Sequence, residues 1–228
     1  MGLDVYAGQL TRYYTQDWET VVQRYARENN IRFEVARANP ANEVPRADTL
    51  AIITEWMGNL AEHLESDGWT EDPPLEYATD KPDWDCYGAL MLWALDTKSR
   101  FKMKSFPKEW AKSRLFSKYA RDSTKYREFS HLLSDTTIWI PIRFPDPLQW
   151  TDPSDDKVVI GSVFSLYEQL RNLNAITWNV SEAEVGTWRR EIDPNTTDFS
   201  LKAKFGFSIF YYLCQFSVDT RVPMKLDW

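Results

Sequence analysis

The chain has 228 residues, 43% of them hydrophobic and 27% charged, with a formal net charge of −7. That balance excludes a disordered or fibrous chain, and the length is enough to bury a core without disulfide or metal staples. With 11 Trp, 11 Tyr and 12 Phe, the expected core is one of rings whose polar edges need hydrogen-bond partners.

Leu3, Val5 and Ala7 alternate with Asp4 and Tyr6 and predict a first strand. Thr15-Gln16-Asp17 offer caps for a helix carrying Trp18, Val21, Val22, Tyr25 and Ala26 at helical spacing. Ile31, Phe33 and Val35 predict a second strand, and Asn39-Pro40 and Val44-Pro45 bracket a loop. Asp48 opens a long helix with Leu50, Ile53, Met57, Leu60, Ala61 and Leu64 on its stripe, stopped by Ser66-Asp67-Gly68. Residues 67–84 read as irregular, broken by Pro73-Pro74 and Pro82, and Asp85 is placed to cap an apolar helix, Tyr87 to Leu95, buried nearly all round.

Pro107 suits the first turn of a helix with Trp110, Ala111, Leu115 and Tyr119 behind it, and Ser123 is placed to cap the next, with Tyr126, Phe129, Leu132 and Leu133 inward. Ile138, Ile140, Ile142 and Phe144 alternate with polar or bulky neighbours. Pro141 cannot donate to a ladder, so the reading is an edge or bulged strand. Residues 145–156 hold three prolines and four aspartates and mark a weak break in what otherwise reads as one domain, 1–228. Val158-Val159-Ile160 predicts a strand, and Leu166, Leu170 and Leu173 a helix. Ser181 to Glu184 is a capping box, and a last helix carries Leu201, Phe205, Ile209, Leu213 and Phe216. The expected fold is α+β and mainly helical, with helices packed around a small sheet and an aromatic-rich core.

Chemistry is hard to find in this pattern. His63 and His131 are the only histidines and Cys86 and Cys214 the only cysteines, with no shared ligand spacing. Neither a Gly-x-Ser-x-Gly elbow nor a glycine-rich phosphate loop is present. No catalytic residue, metal or cofactor is therefore assigned. Two scattered thiols suit a reducing cytosol. The N-terminus has no signal-peptide pattern and Gly206 to Phe216 is too short to span a bilayer, so a cytoplasmic location away from membranes is expected.

Charge is segregated. Glu65 to Asp85 carries eight acids against Lys81, net −7 in 21 residues, whereas Lys98 to Arg127 carries eleven bases against Glu109 and Asp122, net +9 in 30 residues. The acidic stretch also holds rings, and rings within a charged rim are what a protein-binding surface uses: the rings supply affinity and the charges supply steering. Trp69, Glu71, Asp72, Glu76, Tyr77, Asp80, Asp83 and Trp84 are the expected contacts for a basic protein partner. The basic stretch interleaves Phe101, Phe106, Trp110, Phe116 and Tyr119, which would suit nucleic acid if the rings stacked on bases. It would also suit a core if they faced inward.

The opening Met1-Gly2-Leu3-Asp4-Val5-Tyr6, with Leu10-Thr11-Arg12-Tyr13-Tyr14 following, resembles a group of uncharacterised bacterial proteins. The acidic, Trp-rich make-up without catalytic motifs is similar in style to toxin-immunity proteins. The resemblance implies a bacterial cytosolic protein and carries over no catalytic residue. Three readings stay open: a non-catalytic protein-binding protein of the immunity or antitoxin kind, a carboxylate- or metal-dependent hydrolase using Asp4, Asp83 and Asp85, and a nucleic-acid binder acting through residues 98–127.

Overall fold

The computed structural model describes residues 2–32, 45–100 and 102–228. Among these, six strands form one mixed sheet: β1 (Asp4–Ala7), β2 (Ala78–Asp80), β3 (Thr136–Ile140), β4 (Leu148–Thr151), β5 (Lys157–Ser162) and β6 (Met224–Asp227). Their order is β2-β1-β6-β3-β5-β4, antiparallel throughout except for the parallel pair β3–β5. The last strand therefore lies in the middle and joins the N-terminal pair to the three strands from the centre of the chain.

Helices cover both faces. Leu3, Val5, Ala7, Trp139, Met224 and Leu226 face a core built with α4 (Asp83–Asp96), α7 (Val163–Ile176), α8 (Glu182–Glu191) and α9 (Phe199–Thr220). Ile138, Ile140 and Ile160 face the other way, onto Leu10 of α1 (Leu10–Tyr14) and onto Ile53, Trp56 and Leu60 of α3 (Arg46–His63). The period of two in β3 sends isoleucines to one layer and Trp139 to the other. Trp139 is fully buried and donates its indole N–H to the His131 carbonyl at 2.7 Å. The fold is thus α+β, with helices around a small sheet and rings through the core. Among the described residues no helix is long and apolar enough to cross a membrane.

Local signals explain the helix starts. Asp198 caps α9 by accepting from the Leu201 N–H at 2.9 Å, and Ser181 caps α8 by accepting from the Glu184 N–H. Several expectations are corrected. The capping box of α2 (Val21–Glu28) is Thr20 with Gln23 rather than the 15–17 run, which lies past the end of α1. Asp85 lies inside the first turn of α4 and caps nothing: Pro82 precedes the helix and makes no side-chain cap. Pro107 starts no helix. Its neighbours form a short 3-10 turn, Trp110–Lys112, and Ser113 caps α5 (Arg114–Arg121). Ser123 opens a 3-10 segment, Ser123–Phe129, that runs into α6 (Ser130–Leu133).

The strand before Pro141 is interior rather than an edge, and its register against β5 shifts between Thr136 and Ile138, as in the bulged alternative. It ends at Ile140, so Pro141 never has to donate to the ladder. Residues 145–156 hold β4 and its turn into β5, with Asp152 Oδ1 accepting from the Ser154 and Asp156 N–H groups at 2.8 and 3.2 Å. Ile31 and Arg32 are not in a strand, and the rest of that predicted strand, together with Asn39-Pro40, Val44 and Phe101, lies outside the described residues.

Candidate functional site

The two charged stretches meet across a groove of about 670 Å³. One wall is the start of α4, where Trp84 and Tyr87 face in. The other wall is the 3-10 turn and α5, which contribute Trp110, Phe116 and Tyr119. Leu226 and Trp228 at the end of the chain and Asp135, Thr136 and Thr137 at the start of β3 complete it. Trp84 thus comes from the acidic stretch, and three of the rings opposite come from the basic one.

Packing holds the rings in place. A Cβ on Gly88 would lie 2.4 Å from the Trp110 ring, so α4 accepts that indole flush against its backbone only because residue 88 is glycine. Trp110 and Phe116 have ring centroids 5.6 Å apart, and Trp84 and Trp228 are 5.7 Å apart near edge-on, geometries that suit the aromatic quadrupole. The Tyr119 hydroxyl shares a hydrogen bond with Ser134 Oγ at 3.2 Å. Burial, with Asp135 nearby, pushes both the Tyr87 and Tyr119 phenols up. Thr136 is 1% exposed, and neither its hydroxyl nor that of Thr137 has a hydrogen-bond partner. A second groove, also of about 670 Å³, shares Asp135 and Thr137 and runs over Gln149, Trp150 and Lys157.

The predicted contacts separate into two groups. Trp69 is 8% exposed, edge-on to Trp56 at 6.0 Å. Glu71 is 3% exposed, and its carboxylate accepts from the Leu10 N–H (3.2 Å), the Thr11 N–H (2.8 Å) and the Trp69 indole N–H (2.8 Å). Asp80 is buried, accepts from the Lys81 N–H and is paired with Arg189. These three tie the irregular segment to α1, α3 and α8, and cannot meet a partner without local unfolding. Tyr77 is half-buried in a ring cluster with Tyr6, under the Arg12 guanidinium at 5.0 Å. Asp72 and Glu76 are exposed, Asp83 is partly exposed outside the groove, and Trp84 is partly exposed at the groove wall. The acidic stretch is therefore not one continuous face.

All eleven bases from Lys98 to Arg127 are exposed. Lys98 pairs with Glu128, Lys112 with Glu109, Lys125 with Asp122 and Arg127 with Asp146, while Asp83 pairs with Lys81 and Asp85 with Lys202. These pairs are made within each stretch or to other elements, so they do not join the two fields. The described aromatics of the basic stretch line the groove or face the core: Phe106 packs beside Phe199 and Tyr126 is buried.

The residues with reactive chemistry are held elsewhere. The Ser162 N–H donates to His131 Nδ1 at 2.9 Å, Nε2 lies 3.2 Å from the Pro145 carbonyl, and burial holds this ring below the usual histidine range. That is a structural tie between α6 and β5. His63 lies against Trp150 with centroids 4.9 Å apart. Burial pushes the Cys86 thiol up to about 11 and the Cys214 thiol well above its ordinary value, which keeps both protonated at neutral pH. Asp4 is pushed up to about 6, chiefly by burial, and one of its oxygens has no partner. Asp83 Oδ1 lies 3.7 Å from Lys81 Nζ, whereas Asp85 reaches Lys202 on α9. Asp4, Asp83 and Asp85 line neither groove. Among the described residues no group of three His, Cys, Asp or Glu side chains is arranged to hold a metal ion.

Sequence reasoning missed Asp135, Thr136, Thr137, Leu226 and Trp228, since none belongs to a motif. The available signal was Asp135 followed by two β-branched threonines, a strand start with a turn residue before it. Comparison with protein-family models, with characterised proteins and with solved structures finds no match to this chain. Fold and geometry alone define the class to which it can be assigned: an α+β protein with an aromatic groove whose rings come partly from each of two oppositely charged stretches.

Proposed function

We propose that this chain is a non-catalytic protein-binding protein that covers part of a partner, in the manner of an immunity or antitoxin-like inhibitor of a toxin or effector. The observation that carries the reading is the convergence of rings from both charged stretches on one groove. Large, rigid aromatic anchors in a concavity supply affinity at low entropic cost, and flanking charges of opposite sign orient an approaching partner. Asp83 and Asp85 would steer the basic part of the partner, as would the exposed Asp72 and Glu76 further along the acidic stretch. The hydrolase reading has less support, because its three aspartates line neither of the two large grooves and Asp83 and Asp85 are ion-paired with different lysines.

The test is capture of a partner from the native host, followed by titration of the purified pair. Binding should fall steeply with ionic strength. It should weaken about tenfold or more with Trp110→Ala or with Asp83→Lys plus Asp85→Lys, an energy of about 1.4 kcal/mol or more. A purified partner whose affinity ignores all of these changes would rule out this face.

The exposure of all eleven bases favours a second reading, contact with an anionic polymer. Fluorescence anisotropy with a single-stranded oligonucleotide at low salt tests it. Binding lost on neutralising Arg114, Lys118 and Arg121 supports that reading, and no binding removes it.

A further inference from the structure

Resting on the protein-binding reading, we infer that the groove receives a lysine side chain of the partner, its methylene stem among the rings and its ammonium against Asp135. The charge of the groove interior carries this. Of the described residues that line it, the one charged side chain is the exposed carboxylate of Asp135, and no Lys, Arg or His is among the others. Trp84, on the α4 wall, is flanked in sequence by Asp83 and Asp85, which add negative charge near the groove without lining it. Ring faces are themselves electron-rich, so a carboxylate set among aromatics attracts cations and repels anions. The upward push that Asp135 exerts on both Tyr87 and Tyr119 agrees, since its field reaches phenols on opposite walls.

The polar capacity of the floor narrows the choice to an ammonium. Thr136 is almost wholly buried and its hydroxyl has no partner, and the Thr137 hydroxyl is also unpaired. An unpaired hydroxyl at a groove wall is a standing cost that a ligand can remove. Rotation about χ1 exchanges a threonine methyl for its hydroxyl. An ammonium brings three N–H donors that spread over separate acceptors, which suits one carboxylate and two hydroxyls. A guanidinium prefers paired acceptors in one plane. Burying the four-carbon stem against Trp110 and Phe116 uses the apolar walls.

Two further features favour a protein segment over a free amine. The second groove begins at Asp135 and Thr137 and continues over Trp150 and Lys157, so a chain entering the first has a track for its continuation. The exposed bases of α5 would turn away a uniformly basic segment. The occupant is therefore a single lysine flanked by neutral or acidic residues.

The test uses the full chain, labelled to report indole N–H signals by NMR. A capped heptapeptide with one lysine among glycine and serine is titrated into the millimolar range. The same peptide with the lysine acetylated, the same with arginine, and n-butylamine serve as comparisons. Saturable shifts of the Trp84, Trp110 and Trp228 signals are expected, weakened about tenfold or more by acetylation and by Asp135→Asn, a loss of about 1.4 kcal/mol or more. Asp135 has φ 51°, a conformation asparagine adopts readily, so this variant should keep the fold.

An absence of shifts, equal binding of the acetylated peptide, or binding unchanged by Asp135→Asn overturns the inference. Butylamine bound as tightly as the peptide also overturns it, because the site would then serve small amines. A captured partner whose affinity survives Asp135→Asn sinks this inference and leaves the protein-binding reading intact. Failure to capture any partner strikes that reading, and the peptide titration still decides the chemistry of the groove.

Discussion

Gly206 offers the sharpest test of the packing, because helix propensity and sterics demand opposite signs there. It lies in the middle of α9, where α4 crosses. A Cβ at that position would sit 2.3 Å from the Cys86 carbonyl oxygen and 2.8 Å from its carbonyl carbon. Ordinary contacts lie near 3.5 Å, so the two helices would have to part by about 1 Å. The obstacle is backbone, which cannot rotate aside, and Cys86 is itself fully buried. Overpacking of this kind costs about 1–3 kcal/mol, and a rigid obstacle puts the value at the upper end. Replacing glycine by alanine inside a helix returns about 1 kcal/mol.

Gly206→Ala should therefore destabilise by about 2 kcal/mol, lowering the urea midpoint by about 1 M at a slope near 2 kcal/mol/M. Gly58→Ala is the matched control, since nothing lies within 4 Å of a Cβ there and the residue is exposed in α3. It should stabilise by roughly 1 kcal/mol. If both substitutions move the midpoint upward, the close α4–α9 approach is refuted.

Gly88→Ala should push the Trp110 ring out of its seat, shifting its indole signal and weakening partner binding while costing about 1 kcal/mol; an unmoved Trp110 signal would contradict the contact. Glu71→Ala leaves two backbone N–H groups and an indole N–H unpaired and should cost about 3 kcal/mol, whereas Asp72→Ala, at an exposed site, should change stability by less than about 0.5 kcal/mol; equal losses on urea unfolding would mean Glu71 is not the tie it is taken to be. Asp4 is raised to about 6 from an ordinary 3.8, so the folded state holds this proton longer than the unfolded one and stability falls as pH rises through that window. Asp4→Asn should then stabilise at pH 8 by about 1 kcal/mol after allowance for solvent screening, with the gain vanishing near pH 4; a gain that does not change with pH would show that ionisation is not its source.

What the sequence disclosed follows what was locally encoded. Ser181 with Glu184 announced α8, the leucine spacing announced α7, and the alternation of Leu3, Val5 and Ala7 announced β1, because each pattern is complete within its own element. Strand β2 (Ala78–Asp80) was hidden: three residues beside prolines have no readable period, and pairing with β1 alone makes them a strand. Strand β6 was hidden for the same reason, four residues whose partners Asp4–Ala7 and Ile138–Trp139 lie far away in the chain.

The binding residues chosen from the acidic stretch divide the same way. Composition showed that acids and rings were dense there. It could not show that Glu71 would be drawn inward by the N–H groups of Leu10 and Thr11, or Asp80 by Arg189. Those partners are set by tertiary contacts.

The groove has a cause in the sheet itself. Strand β6 pairs with β1 along its whole length but with β3 at only two positions, Lys225 with Ile138 and Met224 with Trp139. Continuing that ladder would bring Leu226 and Asp227 beside Thr137 and Thr136. Instead the register of β3 slips between Thr136 and Ile138, as at a β-bulge, and Asp135 enters with positive φ. A bulge bends and twists its strand and ends pairing locally, so the start of β3 follows β5 while the end of β6 follows β1. Leu226 on one side and Thr136 and Thr137 on the other are left facing a gap, which α4 and α5 wall with rings rather than fill. The lone carboxylate of Asp135 thus stands at the seam where the two halves of the sheet let go, with the buried, unpaired hydroxyls of Thr136 and Thr137 behind it, which is why the opening carries one acid at its floor and rings at its sides.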